Sequence, residues 1–145
     1  MKLLETEIHI AANPERVWSI LIALDKYPEW NPFIKSVKGK AKEGERLEVL
    51  ISPPNGKEMT FTPIVKSVIE NSEFSWLGRF LFPGIFDGEH IFTISENESG
   101  SLLVQKEKFK GLLVPILWSN LNKDTRAGFE LMNNALKMRA ESKDI

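Results

Sequence analysis

Cysteine is absent from this 145-residue chain. That excludes a disulfide framework, a thiolate metal site and a cysteine nucleophile. Histidine is scarce, with only His9 and His90, which excludes a histidine-rich metal centre. An excess of one charge is missing as well. The 19 basic and 20 acidic side chains leave a formal net charge of −1, so the chain has no electrostatic footprint for nucleic acid. No stretch approaches the roughly 18 apolar residues of a membrane span. The opening Met1-Lys2-Leu3-Leu4-Glu5-Thr6-Glu7 has one cation and no apolar run of signal-peptide length, which sets the expectation of a cytoplasmic protein. In that setting Asn97-Glu98-Ser99 matches the glycosylation triplet but reads as a turn. Internal repeats, low-complexity tracts and linkers are lacking too, so residues 1–145 are expected to act as a single domain.

What is present suits that size. Hydrophobic residues make up 42% and charged residues 27%, the balance of an ordinary globular domain. Such a chain buries roughly 70% of the surface its unfolded form exposes, enough for one core.

Two neighbouring alternating segments carry the most information, Gly88-Glu89-His90-Ile91-Phe92-Thr93-Ile94 and Leu103-Val104-Gln105-Lys106-Glu107-Lys108-Phe109. Side chains two apart on a strand share a face, so His90 points with Phe92 and Ile94, and Glu107 with Leu103 and Phe109. Lys106, Lys108 and Lys110 form the opposing row, which belongs to solvent. Glu107 therefore points inward. A carboxylate aimed into an apolar interior costs several kcal/mol unless paired or hydrated, so Glu107 with a histidine one strand away indicates a polar spot inside something hollow. Arg79 or Gln105 are candidate third members of such a pair.

The remaining pattern is regular. Leu4, Thr6, Ile8 and Ile10 alternate with Glu5, Glu7 and His9, giving a first strand with His9 on its polar face. Asn13-Pro14 reads as the N-cap and first position of a short amphipathic helix carrying Val17, Ile20, Leu21 and Leu24. Pro28 and Pro32 confine Trp30 and Phe33 to a tight helical turn. Six strands are then expected at about 34–40, 45–52, 58–68, 73–80, 87–96 and 101–110, separated by Gly-, Asn- and Pro-rich turns that suit an antiparallel meander. Pro63 lacks a ladder donor and predicts a bulge or bend inside the third of these.

The tail from Pro115 to about Glu141 is the longest predicted helix. Leu117, Trp118, Leu121, Thr125, Gly128, Phe129, Met132, Ala135 and Leu136 gather on its apolar face, which must lie on the sheet. Gly128 there costs about 1 kcal/mol of helix propensity and implies a need for room, for a close sheet contact or for a ligand. Asn133 borders the face and is expected to bond a strand end or loop. Asp124 is expected to be solvated, and Trp18 and Trp118 to anchor their helices.

Strand, two short helices, six antiparallel strands and a long C-terminal helix is the order of an α+β helix-grip fold, a curved seven-stranded antiparallel sheet wrapped around its last helix. The chain resembles the START-like, Bet v 1-like (SRPBCC) superfamily, and within it the bacterial polyketide cyclase/dehydrase and lipid transport group. The resemblance rests on Pro14 and Val17-Trp18, on Tyr27-Pro28-Glu29-Trp30-Asn31-Pro32-Phe33, and on Phe86-Asp87-Gly88-Glu89-His90-Ile91-Phe92. It continues through Glu107-Lys108-Phe109-Lys110-Gly111-Leu112-Leu113 and 129–137.

The resemblance implies a deep apolar cavity between sheet and helix. Its lining would be Trp30 and Phe33 at one mouth, Phe61, Phe74, Trp76, Phe92 and Phe109 from the sheet, and Leu121, Thr125, Phe129 and Met132 from the helix. His90 and Glu107 would supply its polar contacts. The iron and Rieske ligands of the superfamily's oxygenases have no counterpart here.

The function expected is binding of an apolar or amphipathic small molecule, such as a lipid, isoprenoid or polyketide-like compound, with no cofactor and no metal. One alternative is a cyclase, dehydratase or isomerase in which Glu107 abstracts a proton and His90 stabilises an oxyanion. Another is an interaction module with a filled core. Fold alone does not choose among them.

Overall fold

The computed structural model describes residues 1–80 and 83–142, with backbone alone at Phe80. Its strands are β1 (Lys2–Ile10), β2 (Ile34–Lys38), β3 (Glu48–Ile51), β4 (Met59–Phe61), β5 (Ile64–Ile69), β6 (Glu73–Phe80), β7 (Phe86–Asn97) and β8 (Gly100–Lys110). Helix α1 (Pro14–Ile22) and a 3-10 turn (Leu24–Glu29) follow β1, and helix α2 (Val114–Glu141) closes the chain. All strand pairs are antiparallel, in the order β1-β8-β7-β6-β5 for one sheet and β2-β3-β4 for the other. Helix α2 packs on β1 and β8 and against α1. This is the α+β helix-grip architecture.

Its strand count differs from the seven expected, because the stretch foreseen at 58–68 is two strands. Pro63 has no N–H to give to a ladder, and the chain breaks there between β4 and β5. The two sheets remain joined at the break. The Leu47 N–H donates to the Pro63 carbonyl at 2.9 Å, Val65 to Glu45 at 2.8 Å and Gly44 to Val65 at 2.9 Å. The proline thus acts as a corner at which one curved surface changes direction.

Local chemistry fixes the rest of the frame. Asn13 caps α1 by accepting from the Arg16 N–H at 2.9 Å, and Pro14 occupies the first turn, where its missing N–H costs nothing. After the 3-10 turn, the Asn31 side-chain oxygen accepts from the N–H groups of Phe33 and Ile34 at 2.9 and 2.8 Å. That cap holds Phe33 at the start of β2, aimed at α2. His9 is exposed on the polar face of β1 and meets Ser99 at 2.9 Å.

Helix α2 has two halves. Beyond Arg126, burial recurs at Gly128, Phe129, Met132, Asn133, Leu136 and Ala140, the spacing of a helix seated on a sheet. Between Pro115 and Arg126 every residue is exposed or half-buried, so the first half stands away from the strands. The room at Gly128 is taken by Phe33: a Cβ there would lie 2.4 Å from two atoms of its ring.

That contact makes a prediction. In Gly128→Ala the overpacking cost of about 1–3 kcal/mol should outweigh the helix-propensity gain of about 1 kcal/mol. The urea midpoint should fall; an unchanged or higher midpoint would contradict the Phe33 contact.

Candidate functional site

Three successive rows cross the inner face of the five-stranded sheet, each reading from β6 through β7 and β8 to β1. The first is Phe74, Phe92, Gln105 and Thr6, the second Trp76, His90, Glu107 and Leu4, and the third Gly78, Gly88, Phe109 and Lys2. His90 and Glu107 are therefore direct cross-strand partners on the inner face that strand alternation gave them. The third row begins with two glycines side by side, which leaves the sheet bare at that point.

A cavity of about 470 Å³ stands over the second and third rows, under the raised half of α2. Trp76, Gly78, Gly88, His90, Glu107 and Phe109 form its floor, and Leu117, Leu121, Asp124 and Thr125 its roof. Phe33 and Phe61 close one side. Its exposed lining residues, Gly56, Lys57 and Met59 near the β3–β4 turn and Leu117 and Asn120 on α2, mark the open end.

The glycines have distinct roles. A Cβ on Gly88 would lie 2.3 Å from Glu107 Oε2, so the carboxyl rests on ground that any side chain would occupy. A Cβ on Gly78 would make ordinary contact with Phe61 at 3.4 Å, so this position tolerates a side chain, which would project into the cavity.

The polar groups of the floor are wired to the core. Thr6 Oγ1 donates to the Gln105 backbone carbonyl at 3.0 Å and accepts from Asn133 Nδ2 at 3.0 Å. Gln105 Nε2 donates to Asn133 Oδ1 at 2.7 Å and to the Phe129 carbonyl at 3.4 Å. The Gln105 oxygen then accepts from His90 Nε2 at 2.9 Å. Because a backbone carbonyl can only accept, each bond in this chain has one permitted direction. The neutral imidazole is thereby set as the Nε2–H tautomer, leaving Nδ1 as an acceptor 3.7 Å from Glu107 Oε1, too long for a hydrogen bond. Among the described residues no hydrogen bond ends on the Glu107 carboxyl.

Desolvation favours the neutral form of both groups. Burial pushes the Glu107 carboxyl up to about 8. Burial also holds the His90 imidazole down to about 4, only partly opposed by the bond to Gln105. The ring is 4% exposed and boxed by Phe92, Phe129 and Trp76, with ring centroids 4.5, 4.8 and 5.1 Å away. Although the separation is within ion-pair reach, desolvation opposes both charges, so the contact is acid to imidazole rather than anion to cation.

Of the residues expected around the cavity, Phe33, Phe61, Trp76, His90, Glu107, Phe109, Leu121 and Thr125 meet there. Phe74, Phe92, Phe129 and Met132 instead belong to the packed core, because the seated half of α2 covers the first row and leaves no space over it. Trp30 is half-buried against the Tyr27 ring at 5.2 Å and stays outside the lining. Asp124, expected in solvent, is half-buried at the roof. Gln105 is the third member of the polar set, while Arg79 lies 4.0 Å from Asp87. Asn133 bonds side chains inside the core, not a strand end. Trp118 packs edge-on against Phe109 beneath the Lys2 ammonium. Among the lining residues that sequence reasoning missed are Gly78, Gly88, Ile51, Met59, Phe86 and Leu117; for Gly78, a glycine in a strand interior was a readable signal.

Among the described residues no cluster of three or more His, Asp or Glu could hold a metal ion, and no helix is long and apolar enough to cross a membrane.

An antiparallel sheet gripping a long C-terminal helix over an apolar cavity defines the START-like, Bet v 1-like class of proteins. The chain belongs to the polyketide cyclase / dehydrase and lipid transport family, whose model matches residues 1–141. No curated protein matches it by sequence. Among solved structures it is similar to TTHA0849 from Thermus thermophilus, with 16% identity, a TM-score of 0.78, and coverage of 99% of this chain and 100% of that one. It is also similar to a START superfamily protein from Mycobacterium smegmatis, with 23% identity, a TM-score of 0.76 and coverage of 96% and 97%. A third similar structure is the di-domain ARO/CYC StfQ from the steffimycin biosynthetic pathway, with 13% identity and a TM-score of 0.69; the match covers 97% of this chain and 52% of StfQ. At these identities the likeness establishes the fold.

The raised Glu107 value predicts a pH effect on stability. The unfolded chain ionises Glu107 near its ordinary 4.5 and the native state near 8, so between these values the native state alone holds the proton and stability falls as pH rises. His90 acts oppositely: its contribution is full above 6.5 and is lost as pH falls toward 4. Glu107→Gln removes the first effect only. Its unfolding free energy relative to wild type should grow by about 2–4 kcal/mol between the two Glu107 values; a pH-independent difference would contradict a neutral buried carboxyl.

Proposed function

We propose that the protein binds an apolar or amphipathic small molecule, of the lipid, isoprenoid or polyketide-like kind, in the cavity between the sheet and the raised half of α2. The observation that carries this reading is the space itself. A volume of about 470 Å³ over a row with two glycines falls within the roughly 300–1,000 Å³ of known ligand sites. Gly78 leaves room toward the cavity in a strand interior, where a side chain would otherwise project, while Gly88 gives its ground to the Glu107 carboxyl.

Affinity comes from apolar burial against Phe33, Phe61, Trp76, Phe109 and Leu121, at about 25 cal/mol per Å². His90 and Glu107 orient one polar group of the ligand. The family's lipid transport members and the ARO/CYC name of StfQ support the same ligand classes. Catalysis with His90 as oxyanion donor is disfavoured, because the imidazole N–H is committed to Gln105.

Titration with the neutral apolar dye Nile red tests this reading. Wild type should take up one dye per chain with a blue-shifted emission. Gly78→Leu and Leu121→Trp, which fill the cavity from floor and roof, should each weaken uptake at least tenfold while keeping the far-ultraviolet circular dichroism of wild type. Unaltered uptake in both folded variants would contradict it.

A further inference from the structure

The proposed binding cavity has one polar spot of defined character. His90 is buried and lines the cavity, its Nδ1 makes no hydrogen bond among the described residues, and the Glu107 carboxyl beside it makes none either. The two atoms are 3.7 Å apart. A single atom placed over that gap lies at hydrogen-bonding distance, about 2.8 Å, from both.

The demands on that atom are asymmetric. The relay through Gln105, Asn133 and Thr6 makes Nδ1 a pure acceptor, so the ligand atom must donate to it. The carboxyl, whose neutral form desolvation favours, offers an O–H, which stays unmet unless the same atom also accepts. A carbonyl or ether oxygen accepts only, and leaves Nδ1 unmet. A carboxylate has the same defect and brings a charge into an apolar chamber. An ammonium donates only, leaving the carboxyl O–H unmet, and it too brings a charge into an apolar chamber. A hydroxyl oxygen does both.

We propose that the cavity selects a neutral apolar compound bearing a hydroxyl, an alcohol or phenol, whose oxygen bridges His90 Nδ1 and the Glu107 carboxyl, with Gln105 and Asn133 as positioning residues. This rests on the binding reading given above and names the ligand class for that site. Gln105 touches no ligand. It acts through the ring, by holding the proton on Nε2 so that Nδ1 stays bare, and Asn133 acts one step further back by fixing which way the Gln105 amide faces.

The test is a pair of calorimetric titrations at neutral pH, with naphthol and with its methyl ether, methoxynaphthalene. The ether is the more apolar probe, so a cavity that reads apolar surface alone binds it at least as tightly. Wild type should instead prefer naphthol by about tenfold, the worth of roughly one net hydrogen bond. In Gln105→Met that preference should shrink toward unity while ether affinity stays the same. A wild type that binds the ether as tightly as naphthol overturns the hydroxyl inference and leaves the binding reading standing. A wild type that binds neither probe overturns both.

Ring-nitrogen NMR of the unliganded wild type gives a check that does not depend on any variant folding. The His90 signals should show an unprotonated Nδ1 and a protonated Nε2. The opposite tautomer would overturn the proposal, because Nδ1 would then be a donor and the carbonyl class would fit.

Discussion

A carboxyl group beside an imidazole, the ring buried and the carboxyl largely so among phenylalanine and tryptophan rings, persists at least cost when neither carries charge. Here desolvation decides the matter, since the 3.7 Å between His90 and Glu107 supplies no hydrogen bond to offset it. The groups stay neutral, and a neutral imidazole must have its proton on one defined nitrogen. The Thr6, Asn133 and Gln105 side chains provide that definition. They also tie the cavity floor to the seated half of α2 and to β1, so the orientation of His90 depends on how the long helix sits.

The cavity follows from geometry on a larger scale. Helix α2 descends onto the first row of the sheet only after Gly128, where the missing side chain admits the Phe33 ring. Before that point it stands clear, and the sheet beneath it presents glycine instead of filler. Tilt above and glycine below act together: either one alone would allow side chains to close the space. Pro63 contributes the curvature that lets β2, β3 and β4 turn past the edge of the five-stranded sheet and bring Phe61 and Ile51 to the chamber's side.

Much of this was legible in the sequence. The alternation in β7 and β8 gave the inward facing of His90 and Glu107, Pro63 gave a bend though not the full break, and the amphipathic tail gave α2 with a space-making Gly128. What local pattern did not reveal was which inward aromatics face the cavity. Phe74 and Phe92 share a face with Trp76 and His90, and only the tilt of α2, a tertiary property, separates core from lining. The Gly78–Gly88 row was hidden for a related reason, because it exists only once β6 and β7 pair in register. The relay was harder still. Its members Thr6, Gln105 and Asn133 are separated by up to 127 residues, and no periodicity links them.

Native mass spectrometry of protein purified from its own host, followed by organic extraction, tests most directly whether the cavity is a ligand chamber. A discrete mass increment of one hydroxyl-bearing apolar molecule per chain, retained by wild type and absent from Gly78→Leu, is the expected result. The same increment in both proteins would place the molecule elsewhere on the chain and would contradict a ligand seated over the glycine row.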